Sequence, residues 1–268
     1  MVSMKCKEEV DRICKFIKDT VKDARVEGVV LGLSGGIDSA VVYKLCVNAL
    51  GKDKVYPIFM PFHNTIYNVS RDRIKLLYSS LTDIYIKPIG GLAEFLVELP
   101  LYKINKVHLG NVQARLRMTY LYYYANLKNY LVIGTTNKSE YMIGYFTKYG
   151  DGGVDFEPIQ HLYKTEVYKL AKYLKVPKEI IQAKPSADLW EGQTDEGEIG
   201  MSYEKLDEIL KHLKPEHCWF NEWYSVESCQ ERTGFKREDI IKVKEMIKKS
   251  EHKRRLPKCL RSVTNAGK

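Results

Sequence analysis

Apolar and polar positions along the chain follow two periods, one helical and one of strand type. Residues 4–23 set apolar side chains at helical spacing between charges, which predicts an amphipathic helix. GVVLGL (28–33) is a short β-rich run, and the segment after it, 37–49, returns to helical spacing. KVYPIFMP (54–61) reads as the next strand, NVSRDRIKLLYSSL (68–81) as a helix, and DIYIKPI (83–89) as a third strand. A long helical pattern over 104–127 leads into YLVIGT (130–135), a fourth strand. Helical spacing recurs at 137–144, 163–174, 202–212 and 236–249. Strands separated by helices predict the α/β class, with a doubly wound, mostly parallel sheet flanked by helices. No repeat or low-complexity stretch divides the 268 residues, so one domain over 1–268 is expected, with a basic C-terminal tail at about 248–268. Beyond residue 145 the strand pattern stops. TKYGDGGVDFEP and AKPSADLWEGQTDEGEIG are polar stretches too long and too specific in composition to serve only as connectors.

Composition narrows the class without choosing a function. Apolar residues at 44% and charged residues at 29% suit a globular domain with a sizeable core. No stretch approaches the ~18 apolar residues of a membrane span, and the charged amphipathic N-terminus resembles neither a signal peptide nor an anchor. A cytoplasmic protein without membrane association is expected. The six cysteines form no CxxC pair and the six histidines no HExxH, so free thiols are expected and a transition-metal site is not. The net charge of +9 is concentrated: residues 248–268 hold eight Lys or Arg against one Glu, a net +7. The rest of the chain is close to neutral, which argues for a local anionic partner and against nucleic acid coating a whole face.

The chemistry begins where the first strand meets its helix, at SGGIDS (34–39). Consecutive backbone N–H groups in such a turn can form an anion nest at a helix N-terminus. Gly35 and Gly36 allow positive φ and close approach of a phosphate. Ser34 and Ser39 add hydroxyl donors, and Asp38 can hold a Mg²⁺ that bridges phosphate oxygens. The turn has no GxxxxGK[ST] and no GxGxxG. This hexapeptide after a strand resembles the PP-loop of the N-type ATP pyrophosphatases, which cleave ATP between the α- and β-phosphates. The resemblance implies an adenine nucleotide alpha-hydrolase-like, Rossmann-like fold, and ATP binding by Gly32, Leu33, Ser34, Gly35, Gly36, Ile37, Asp38 and Ser39.

Later segments choose among the members. GNVQARLRM (110–118), GTTNKSEYMIGYFTKYGDGGVDFEPI (134–159), LYKTEVYKLAKYL (162–174), KPSADLWEGQTDEGEIGMSYEKLD (184–207) and EHKRRLP (251–257) resemble ammonia-dependent NAD synthetases, in the same order, over about 28–257. That family makes NAD from deamido-NAD, ATP and ammonia, the last step of NAD biosynthesis. The nicotinate carboxylate attacks ATP to give an adenylate and pyrophosphate, and ammonia then displaces AMP. The implied enzyme is a ligase forming a C–N bond, a homodimer with Mg²⁺ as cofactor. Ammonia must arrive unprotonated, so activity should rise with alkaline pH.

The resemblance also assigns residues. Arg115, Lys148, Asp155, His252 and Lys253 match positions that bind deamido-NAD. Lys164 and Ser186 match positions that contact ATP phosphates, the family more often having Thr where Ser186 stands, and Thr135, at the carboxyl end of the fourth strand, is expected to face the bound nucleotide. By its place on the helix after the fourth strand, Glu140 would supply a second carboxylate for Mg²⁺ beside Asp38, or be an ordinary solvated helix charge. Asp38, Glu140, Lys148 and Lys164 are the residues expected to carry catalysis, by positioning and charge neutralisation and without a covalent nucleophile. Several features stay open at this point. Arg115 and Arg117 could be surface helix charges, and Tyr145 and Phe146 could stack on a pyridine ring or pack in the core. Asp188 and DEGE (195–198) could close over the site or form a solvated acidic loop. The Tyr-rich helix at 117–127 offers a dimer interface. Only about 27 residues precede the first strand, which leads to the expectation of free ammonia, or ammonia from a separate partner, as nitrogen source, since glutamine-dependent members carry an N-terminal amidase domain. Competing readings are another PP-loop amidotransferase or thiolation enzyme, and a basic RNA-binding module built on the tail.

Overall fold

The computed structural model describes residues 5–62, 64–77, 85–92, 105–186, 189–190, 192–213, 225–257 and 259. Its centre is β1 (Gly28–Leu33), followed in the sheet by β2 (Val55–Phe59), β3 (Tyr85–Ile86) and β4 (Tyr130–Ile133). Among the described residues the strand order is β3-β2-β1-β4, and every pairing is parallel. β1 is apolar throughout because both its faces are covered. Val29, Leu31 and Leu33 enter one core, while Val30 enters another on the opposite face, the period of two expected of a strand.

Helix α1 (Cys6–Asp23) buries Val10, Ile13, Ile17 and Val21 at helical spacing. It packs on α2 (Ile37–Leu50), which is buried over most of its circumference and carries little polar surface. α3 (Asn64–Leu77) adds Ile74 and Leu77 to the same core. The chain then crosses to the other face. There α4 (Lys106–Lys128) packs on β1 and β4, starting at Asn105, whose side chain accepts the His108 N–H at 2.9 Å. Asn129 (φ 53°) closes α4 in the left-handed region and drops the chain into β4. Sequential strands lie to one side of β1 and β4 lies to the other, which makes the β1/β4 boundary the switch point where ligands bind in open α/β sheets.

The shorter helices that follow are α5 (Lys138–Ile143), α6 (Lys164–Tyr173), α7 (Lys178–Ile181), α8 (Asp195–Ile199), α9 (Tyr203–Leu213), α10 (Val226–Thr233) and α11 (Arg237–Lys249). α9, α10 and α11 share a further apolar cluster with Ile143 and Tyr163. A 3-10 turn over Glu251–Lys253 ends α11 against α5.

Several expectations are corrected in detail. β2 and β3 are shorter than 54–61 and 83–89, although pairing continues as Lys87 N–H to Phe59 O (2.9 Å) and Ile89 N–H to Pro61 O (3.0 Å). α3 begins before residue 68, and 78–81 lie outside the described residues. The acidic DEGE segment is the helix α8, capped by the Thr194 side chain on the Gly197 N–H, and not a loop. α7 and α10 carried too few apolar positions to register as periodic. Asp188 lies outside the described residues.

Candidate active site

The turn after β1 is preset by its own side chains. Gly35 takes φ 83°, a left-handed conformation that favours glycine. The Gly36 N–H donates to Ser34 Oγ (3.1 Å), Ser39 Oγ donates to Gly36 O (3.0 Å), and the two hydroxyls stand 3.2 Å apart. Gly36 is then the N-cap of α2, which places Asp38 in the first turn. Across the switch point, β4 ends at Ile133 and α5 begins at Lys138 after the cap residue Asn137. Both turns open into one cavity of about 420 Å³.

Lys164 joins the two sides. Its Nζ lies 2.6 Å from Asp38 Oδ2 and 3.0 Å from Glu140 Oε1, with all three side chains largely withdrawn from solvent. Asn137 ties the same two residues from behind: Nδ2 donates to Asp38 Oδ1 (3.0 Å), Oδ1 accepts the Glu140 backbone N–H (3.0 Å), and its own N–H donates to Glu140 Oε2 (3.4 Å). Burial pushes the Glu140 carboxyl up to about 7, opposed by Lys164 and helped by Asp38 and Asp195. Burial alone would disfavour the Lys164 ammonium, but Asp38, Glu140 and Asp195 outweigh it and hold its pKa above the ordinary value. Asp195, also raised by burial, accepts from Tyr145 (3.2 Å) and Tyr203 (3.1 Å), and Tyr145 donates to Glu198 as well. Asp38, Glu140 and Asp195 act together on the single ammonium of Lys164, so carboxylate exceeds ammonium at this spot, although Arg73, Arg117, Lys184 and Lys253 also line the cavity.

That surplus of carboxylate fits a bound Mg²⁺. Such an ion is held by one or two carboxylates together with phosphate oxygens and waters rather than by a protein cage. Among the described residues no group of three His, Cys, Asp or Glu side chains forms such a cage. Asp38 and Glu140, both turned toward one cation, are the donor set the structure offers.

Of the residues singled out from sequence, Gly32, Leu33, Ser34, Gly36, Ile37, Asp38, Ser39, Thr135, Glu140, Lys164, Ser186 and Lys253 line this cavity. Arg115, Lys148 and His252 stand outside its lining as a linked basic group. Arg115 Nη2 donates to Lys148 O (3.4 Å), and Lys148 Nζ donates to His252 O (2.9 Å). Lys253, half-buried between that group and the cavity, donates to Gly144 O (2.8 Å) and Phe146 O (2.6 Å). Asp155 lies apart. Its carboxylate accepts the Val132 N–H (2.7 Å) and the Tyr122 hydroxyl (3.1 Å), which satisfies the outer edge of β4. Arg117, which the sequence offered only as a possible surface helix charge, lines the cavity and donates to Met60 O (3.0 Å).

Some residues of the site had no sequence signal of their own, among them Asn137, which is fully buried behind the cavity and bonded to Asp38. Asp151, whose Oδ1 accepts the Thr147 N–H at 2.9 Å, was hidden in the glycine-rich stretch TKYGDGGVDFEP. Asp195 stood in an acidic string that gave no hint of burial.

The family model for NAD synthase matches residues 9–257. The NH(3)-dependent NAD(+) synthetase of Methanocaldococcus jannaschii is 48% identical over 93% of this chain and 95% of its own. Two solved structures superpose with a TM-score of 0.78 at 34% identity: the NH3-dependent NAD synthetase of Campylobacter jejuni, covering 97% of this chain and 100% of that one, and the NMN synthetase of Francisella tularensis, covering 96% and 99%. With the preset turn after β1, the paired carboxylates and this extent of match, the chain belongs to the NAD synthase family.

Proposed function

We propose that this chain is an ammonia-dependent NAD synthetase, converting deamido-NAD, ATP and ammonia to NAD, AMP and pyrophosphate. The observation that carries the reading is the Lys164–Asp38–Glu140 arrangement at the mouth of the SGGIDS turn. Two carboxylates that could hold a cation stand there with an ammonium, where a pyrophosphate can lie along the backbone donors of a helix N-terminus. Mg²⁺ held by Asp38 and Glu140 would neutralise charge developing on the departing pyrophosphate. The chain's own part is to bind and orient. Ser34, Gly36 and Ser39 line the phosphate end, Thr135 and Ser186 flank it, and Lys164 supplies a fixed positive charge. The basic group of Arg115, Lys148, His252 and Lys253 suits the two phosphates and carboxylate of deamido-NAD. Asp155, held by β4, would offer it an acceptor from the strand edge. In this reading the nicotinate carboxylate oxygen attacks the α-phosphorus and pyrophosphate leaves. Ammonia then attacks the activated carbonyl carbon, and AMP departs with the carboxylate oxygen.

A homodimer is part of the proposal. Tyr123 (55% exposed) and Leu127 (64%) project from α4 four residues apart, beside the Tyr56, Tyr85 and Tyr124 rings at the sheet edge. Neither nucleic acid nor membrane enters the proposal: among the described residues no helix is long and apolar enough to cross a bilayer. A cytoplasmic setting suits the free thiols of Cys6, Cys14, Cys46, Cys229 and Cys259.

The test is a turnover assay with ATP, Mg²⁺, deamido-NAD and ammonium, following NAD, AMP and pyrophosphate together. Equal amounts of the three products are expected, and ADP with phosphate would refute the reading. The Francisella relative makes nicotinic acid mononucleotide the comparison substrate. A higher kcat/KM for the mononucleotide than for deamido-NAD would reassign the acceptor.

A further inference from the structure

The buried face of α9 carries two polar groups that point back at the site without entering the cavity. Tyr203 (2% exposed) and Asp207 (0% exposed) are four residues apart, so they share one face of the helix. The Tyr203 hydroxyl reaches Asp195 Oδ2 at 3.1 Å and Glu140 Oε1 at 3.3 Å, and the Lys164 ammonium sits 4.9 Å from the centre of its ring. Asp207 works through the backbone. Its Oδ2 accepts the Thr165 N–H (2.9 Å), and its Oδ1 accepts the Ser139 hydroxyl, which in turn accepts the Lys164 N–H (2.9 Å). The N-cap position of α6 is Tyr163, which supplies no side-chain cap to these donors. Residues from two other helices therefore satisfy the first donors of α6, Ser139 that of Lys164 and Asp207 that of Thr165, and the first residue of α6 is Lys164.

We propose that Tyr203 and Asp207 are positioning residues for the adenylation step. Asp207 fixes the backbone of Lys164 through Ser139, and Tyr203 fixes its ammonium and Glu140 from the opposite side. Burying a carboxylate and a phenol is costly unless each is hydrogen-bonded. Here the bonds run to the residues on either side of the Lys164–Glu140 ion pair. α9 is also held by the apolar cluster of Leu206, Ile209, Leu210 and Leu213, which gives the two polar groups a rigid base. This inference rests on the function proposed above, and its test separates the two.

Tyr203→Phe keeps the ring and removes the hydroxyl. Asp207→Asn keeps an acceptor for Thr165 and takes away the acceptor for the Ser139 hydroxyl. Ser139→Ala cuts the relay and leaves the Thr165 bond. In the full-length protein each is expected to lower kcat for AMP formation by about ten-fold or more, the scale of supporting-residue losses, with KM for ATP within about two-fold of wild type. Combining Ser139→Ala with Asp207→Asn should cost no more than the worse single change, because both act through one relay. Crystal structures of Tyr203→Phe and Asp207→Asn should show the Lys164 ammonium displaced from Asp38 or Glu140. An unchanged kcat, or a rise in KM accounting for the whole loss, overturns the inference. So does finding Lys164 unmoved, whatever the kinetics. If the wild-type chain makes no AMP under the assay conditions, the function is wrong, and the position of Lys164 in the variant crystals still decides the role of α9.

Discussion

At the scale of single residues, Asp38 is held at both of its carboxylate oxygens. One oxygen accepts from Lys164 and the other from Asn137. Asparagine at this position keeps the shape, loses the charge and turns an amide N–H₂ toward one of two donors. Asp38→Asn is therefore expected to cut AMP release by on the order of 100-fold while a thermal melt moves little, and near-wild-type turnover would remove Asp38 from the account. Glu157 makes a separate prediction about stability. Its Oε2 accepts the Thr136 N–H at 3.0 Å, and burial pushes its carboxyl up to about 8 from an unfolded value of 4.5. Between those values the folded state holds a proton that the unfolded state has lost, so stability falls as pH rises through that window and levels off above it. Glu157→Gln keeps the acceptor for Thr136 and removes the titration. Denaturant unfolding across pH 5–8 should show a shallower decline in the variant, and identical slopes would contradict the buried carboxyl.

At the scale of elements, the basic segment after α11 is where structure most changes the expectation from sequence. Lys253 donates to Gly144 and Phe146 carbonyls, and Arg254 Nη1 donates to Tyr141 O (3.2 Å) and Ser250 Oγ (2.7 Å). Gly144 (φ 70°) lies so close to Ser250 that a Cβ there would stand 2.0 Å from the serine Cβ. Truncation after Ser250 would therefore remove a clamp on α5 together with any substrate contact. Lys253→Met should destabilise the fold by about 1.5–3 kcal/mol, the range for a hydrogen bond to a charged group. His252→Ala should leave the melt unchanged and raise KM for deamido-NAD more than KM for ATP. Equal effects of the two variants on the melt would contradict this division.

The elements themselves were largely legible. β1, α2, α4, α6, α9 and α11 follow from apolar spacing to within a residue or two, because each has a wide buried face or a clear cap. The SGGIDS turn was legible because paired glycines between a strand and a helix, flanked by serines, are the residue types a tight, preset turn needs. The contacts that assemble the site were not. Asn137 meets Asp38 and Asp207 meets Ser139 across long stretches of chain, and no local period encodes a contact between side chains from different elements. Asp195 shows the same limit, since an acidic string reads as solvated until the tyrosines that bury it are in place.

At the scale of the whole molecule, the α4 surface and the reaction itself remain to be measured. If Tyr123 and Leu127 lie in a homodimer contact, replacing both with glutamate should shift sedimentation velocity from dimer to monomer, and an unchanged dimer would move the interface elsewhere. Ammonium, and not glutamine, is expected to support turnover, as the names of the similar proteins indicate for those enzymes. The central claim is that the acceptor carboxylate is activated by AMP, and oxygen transfer tests it most directly. Deamido-NAD carrying ¹⁸O in its nicotinate carboxylate should be turned over with ATP and ammonium, and the products analysed by mass spectrometry. The account predicts one labelled oxygen in each AMP and none in pyrophosphate, because the carboxylate oxygen that attacks the α-phosphorus leaves with AMP. Label in pyrophosphate or phosphate, or unlabelled AMP alongside NAD, would contradict it.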